Sequence, residues 1–68
     1  MMFNLYDVVM VKRDYPNLSL TPKNIGTIVD IQNNGEAYTV EFVNENGDTI
    51  EEALLEYFRE DELLPITE

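Results

Sequence analysis

Six carboxylates fall within the stretch from Glu51 to Glu62: Glu51, Glu52, Glu56, Glu60, Asp61 and Glu62. Side chains of this kind can hold a cation, trade protons, or present negative charge to a positive partner. The first two uses need company that the sequence lacks. Histidine and cysteine are both absent, which removes the commonest general base, the thiolate nucleophile and the usual zinc ligands. Ser19 is the one serine, with no histidine to activate it. Carboxylate pairs alone can run acid–base chemistry, but 68 residues leave little room for an enclosed pocket. The expectation is a protein that is not an enzyme and takes no cofactor.

Calcium is the cation to test, because Asn44-Glu45-Asn46-Gly47-Asp48 looks like part of an oxygen-ligand loop. If Gly47 made the sharp turn of an EF-hand, the first and last ligands would fall on Phe42 and Ala53, and neither has a side-chain oxygen. A hairpin turn is the better reading, with Glu45, Asp48 and Glu51 left as weak cation ligands at most.

The third use of the carboxylates fits the whole chain. Fourteen acids against four bases give a net charge of −10, which repels phosphate backbones and anionic membrane surfaces. Direct nucleic-acid binding and membrane binding are disfavoured, whereas a protein with a basic surface would be steered toward this one. The plainer reading of the acidic run is a solvated face that keeps a small domain soluble. The sharper one is a phosphate-mimicking surface whose internal repulsion a cationic partner relieves. Tyr15, beside Pro16, is the other candidate contact: it either lines a ligand groove or folds over the mouth of the domain.

Sixty-eight residues allow one domain at most, expected to span 1–68, near the size at which folding buries only about 60% of the unfolded surface. No cysteine is available to staple it. The N-terminal region has neither a basic segment nor a small-residue cleavage site, and no apolar run approaches the roughly 20 residues of a membrane span. These features lead us to expect a cytoplasmic protein.

Apolar alternation supplies the elements. Phe3 to Lys12 reads as a first strand with both faces largely apolar, which implies substantial burial on each side, followed by a long irregular loop with two prolines, Pro16 and Pro22. Gly26 to Ile31 and Tyr38 to Val43 read as strands joined by an Asn-Gly hairpin, and a second Asn-Gly turn follows Val43. Thr49 to Phe58 is ambiguous. Its glutamates, alanine and leucines favour helix, but the tight turn before it favours a fourth strand, which we expect. Glu60 and Asp61 suit the start of a short helical turn, and Leu64 to Ile66 reads as a last strand kept to an edge by Pro65. The expected fold is all-β: a small barrel of five strands with one short helical turn before the last. Edge strands leave strand addition or a homodimer open.

The order and spacing of Leu5-Tyr6-Asp7-Val8-Val9, Gly26-Thr27-Ile28-Val29, Tyr38-Thr39-Val40-Glu41-Phe42 and Glu62-Leu63-Leu64-Pro65-Ile66 resemble the DUF4926 family of small bacterial proteins. The resemblance covers almost the whole chain. It implies an SH3-like barrel, loosely similar to the barrel domain of the nitrile hydratase β subunit and to KOW-type modules. Where such proteins often have Lys-Gly-Asp before the second strand, this chain has Lys23-Asn24-Ile25, and an asparagine can take the left-handed backbone such a turn needs. Members of that family resemble small genes found beside toxin-like proteins, so the resemblance implies an antitoxin or immunity role. The expected function is therefore protein binding, to a partner with a basic surface, through Tyr15, Glu51, Glu52, Glu56, Glu60, Asp61 and Glu62. The alternatives are an assembly module of an enzyme complex, or an acidic nucleic-acid mimic such as an anti-CRISPR protein.

Overall fold

Alternating apolar side chains are gathered onto one side of a single antiparallel sheet in the computed structural model, which describes residues 3–66. Its strands are β1 (Val8–Val11), β2 (Ile25–Gln32), β3 (Ala37–Val43) and β4 (Leu63–Pro65), in the order β3-β2-β1-β4. A one-turn helix, α1 (Glu51–Leu54), and two 3₁₀ turns, Pro16–Leu18 and Glu60–Glu62, complete the described elements. The inward positions Val9, Val11, Ile28, Tyr38, Val40, Phe42 and Leu63 are buried against Phe3, Leu18, Leu20, Ile50, Ala53 and Phe58. Two T-shaped ring pairs lie within this cluster, Phe3 on Tyr38 at 5.6 Å and Phe42 on Phe58 at 5.4 Å.

The first strand is shorter than its apolar pattern suggests. Asn4 to Asp7 forms a turn instead, in which the Asp7 N–H donates to the Asn4 carbonyl (3.1 Å) and the Asp7 carboxylate accepts the Asn4 N–H (2.8 Å). Only one face of β1 is buried, since Val9 and Val11 have no exposure while Val8 is 41% exposed. The β2–β3 hairpin turns as its residues allow: Asn33, Asn34 and Gly35 all take positive φ, at 48°, 61° and 107°. At the second Asn-Gly, Gly47 has φ 85°, and the Asn44 side-chain oxygen accepts the N–H groups of Asn46 (2.9 Å) and Asp48 (3.0 Å). Asn24 departs from the expectation of a left-handed turn. It is absent from the positive-φ residues and acts through its side chain, whose oxygen accepts the Thr21 N–H (2.8 Å) while its amide donates to the Val43 carbonyl (3.2 Å).

The main correction concerns Thr49 to Phe58, which is not a strand. Thr49 bridges Val43, and the Ile50 N–H donates to the Phe42 carbonyl (2.8 Å), so the ladder begins as expected. The chain then leaves it to form α1, where Glu51, Glu52, Ala53 and Leu54 are good helix formers and the two glutamates oppose the dipole of the first turn. It rejoins β3 only at Phe58, whose N–H and carbonyl both pair with Tyr38 (2.9 and 2.7 Å). Burial explains the preference. The turn lets Ile50, Ala53 and Phe58 enter the core while Glu51, Glu52 and Glu56 stay in water, whereas a continuous strand would carry Glu56 on the same face as Leu54 and Phe58. Among the described residues the sheet therefore has four strands, with two single bridges where a further strand was expected. The helical turn expected before the last strand is present at Glu60–Glu62.

Gly26 fixes how closely the core closes on the sheet. A Cβ there would lie 2.6 Å from both the Phe42 ring and the Val40 Cγ1. Gly26→Ala is expected to cost about 1–3 kcal/mol of stability, as overpacking of a tight core does, seen as a lower urea midpoint. A midpoint equal to that of the parent chain would show that Phe42 moves aside freely.

Candidate functional site

Loop and acidic segment, distant in sequence, are stitched together in space. The loop is anchored by the buried Leu18 and Leu20 and closed by two backbone hydrogen bonds between Tyr15 and Leu20 (2.8 and 3.2 Å). The Tyr15 ring packs edge-on against Phe58 at 5.8 Å, and the Arg13 guanidinium lies 4.3 Å from its centroid. Its hydroxyl donates to Glu62 Oε2 (3.0 Å), while the Ser19 hydroxyl lies 3.4 Å from Glu52 Oε2. The loop thus touches α1 on one side and the Glu60–Glu62 turn on the other.

These contacts divide the candidate residues. Tyr15 is half-buried and folded over the domain, with its hydroxyl already engaged. Glu62 is committed as well: its other oxygen accepts the Arg59 N–H (2.8 Å), which caps the 3₁₀ turn. Glu60 is half-buried, whereas Glu51, Glu52, Glu56 and Asp61 are exposed. A groove of about 620 Å³ runs beside Glu36, Glu60 and Asp61, but Lys12 and Arg59 also line it. The positive side chains offset the acids there. The glutamates of α1 and the loop after it form the more one-sided negative surface.

Two residues that the sequence reading passed over stand out on that surface. Leu55 is 82% exposed and Tyr57 64% exposed, on either side of Glu56. The signal was a surplus: Ala53, Leu54, Leu55, Tyr57 and Phe58 give this segment more apolar side chains than one helical turn and one bridge can bury. Among the described residues no three acidic side chains are grouped so as to hold a metal ion, Glu45, Asp48 and Glu51 included. Among the described residues, too, no helix is long and apolar enough to cross a membrane.

The family model described as a domain of unknown function, DUF4926, matches residues 5–64, and the chain belongs to that family. No curated protein and no solved structure matches it significantly.

Burial raises the Tyr15 hydroxyl pKa above its ordinary 10.0, and the hydrogen bond to Glu62 and that residue's negative charge add to the rise, against a smaller lowering by Arg13. The folded state thus holds this proton more tightly than the unfolded chain does. Its contribution is complete below pH 10 and is lost as pH rises through the folded value. Urea midpoints measured from pH 8 upward should fall above pH 10 in the parent chain and fall less in Tyr15→Phe. Parallel curves for the two would mean that Tyr15 does not couple to folding.

Proposed function

We propose that this protein is a non-enzymatic, cytoplasmic binding module that captures a basic protein partner through α1 and the loop after it, in the manner of an antitoxin or immunity protein. The observation that carries the reading is the exposure of Leu55 and Tyr57 beside Glu51, Glu52 and Glu56. A face that serves only solubility has no use for a leucine and a tyrosine standing in water. An apolar anchor ringed by charge is how interfaces concentrate affinity while steering approach. The proposed build is SH3-like. Support comes from the β3-β2-β1-β4 order, the 3₁₀ turn just before β4, and the return of Thr49 and Phe58 to the free edge of β3.

The two parts of the surface should separate kinetically. With a basic partner, Glu51→Gln, Glu52→Gln and Glu56→Gln together should slow association about tenfold or more at low salt and flatten its salt dependence. Leu55→Asp and Tyr57→Ala should instead speed dissociation, each weakening binding by about 1–2 kcal/mol or more. The measurement is capture from the native host's lysate at graded salt, followed by stopped-flow kinetics on the purified pair. A partner that binds the glutamine variant as fast as the parent would favour the assembly-module reading, in which apolar contacts elsewhere carry the complex.

A further inference from the structure

We infer that Asn34-Gly35, in the turn between β2 and β3, is a site of self-modification, at which the asparagine amide is lost and an aspartyl or isoaspartyl residue takes its place. No enzyme is needed. The Gly35 backbone nitrogen gives up its proton and attacks the carbonyl carbon of the Asn34 side chain. The new C–N bond closes a cyclic imide as the amide nitrogen takes up a proton and leaves as ammonia. Water then opens the ring at either carbonyl. One opening gives aspartate, and the other gives isoaspartate, whose main chain runs through the side-chain methylene. The chemistry requires a residue without Cβ after the asparagine, a side-chain amide that nothing holds, and access for water.

Of the seven asparagines only Asn34 and Asn46 precede glycine. Both are exposed, and neither side chain makes a hydrogen bond among the described residues. The side chains of Asn24, Asn33 and Asn44 are held instead, that of Asn33 by Glu36 (2.8 Å). What separates the two candidate sites is the turn around each. Asn44 braces the second one: its carbonyl accepts the Gly47 N–H (2.9 Å), its side-chain oxygen accepts the N–H groups of Asn46 and Asp48, and its own N–H donates to the Asp48 carbonyl (2.8 Å). In the first turn the Gly35 and Glu36 N–H groups both donate to the Gln32 carbonyl (3.1 and 3.0 Å), and the Asn33–Glu36 contact is the only further brace. Opening it also releases Asn33 and Asn34 from positive φ, a backbone that residues with a Cβ adopt at a cost, whereas Asn46 holds no such conformation. Charge acts in the same direction. Glu45 and Asp48 stand on either side of Asn46-Gly47 and oppose loss of a proton there, while Asn34-Gly35 has the single neighbour Glu36. Gly35 and Glu36 line the groove that Lys12 and Arg59 share, so the product sets a new carboxylate beside that groove. Isoaspartate would also lengthen the turn that fixes the pairing of Gln32 with Ala37.

The test is a time course on the full, folded chain in mildly alkaline buffer. Cleavage at glutamate separates the two asparagines, since Glu36, Glu41 and Glu45 lie between them, and mass spectrometry then follows amide loss and isoaspartate at each. Asn34 should convert at least about fivefold faster than Asn46, the factor that one hydrogen bond of ordinary net strength supplies. In urea, where neither turn survives, the two rates should converge. Asn34→Gln, whose longer side chain closes the imide ring far more slowly, should remove the product from this turn while circular dichroism shows the fold retained. Converted chains, isolated by ion exchange through their added negative charge, should unfold at a lower urea midpoint than the parent. Equal native rates at the two sites overturn the inference, as does a faster Asn46, or an Asn34 that converts in urea and stays intact in the folded chain.

Discussion

Phe58 is the contact on which the rest of the structure depends. Its backbone exchanges two hydrogen bonds with Tyr38, and its ring meets Phe42 on one side and Tyr15 on the other. One residue thereby returns the chain to β3 after α1, fills the centre of the core and holds the long loop down. A domain of this size without disulfides rests on packing contacts of this kind. Tyr38 is the natural counterpart. It is fully buried, and its hydroxyl accepts the Phe3 N–H (3.1 Å), so the polar end of the ring is satisfied inside the core.

Much of this was legible from alternation. Tyr38, Val40 and Phe42 announce the buried face of β3, and Asn33, Asn34 and Gly35 announce its turn, because period and turn chemistry are local properties. The segment from Thr49 to Phe58 was not legible in the same way. Its helix propensity and the hairpin before it favour different answers, and what decides is which arrangement buries Ile50, Ala53 and Phe58 without Glu56. That is a property of the assembled core. Burial of Val8 was over-read for a related reason: an apolar residue on a strand shows that a face is apolar, not that anything covers it.

The candidate site was half legible. Composition pointed to the acidic segment, and the exposed glutamates of α1 match it, but composition gives no hint that Glu62 is spent on Arg59 and Tyr15. Tyr15, beside a proline in a loop, read equally as a ligand contact or as a ring folded over the domain. Leu18 and Leu20 pull that loop inward, and Phe58 gives the ring a place to pack. Leu55 and Tyr57 were hidden because neither a helix nor a strand over Thr49 to Phe58 fixes which of its apolar side chains stay in water.

The two margins of the sheet are unequal in sequence but alike in effect. The outer side of β3 is met by the single bridges of Thr49 and Phe58, and β4 is only three residues long and ends in Pro65, which has no N–H to offer. Neither margin presents the long row of free donors and acceptors on which another strand could grow. The protein can therefore leave apolar side chains standing on its surface without inviting the edge-to-edge stacking that leads to fibrils. It is the sealed margins that make so much exposed apolar surface tolerable in a chain this small.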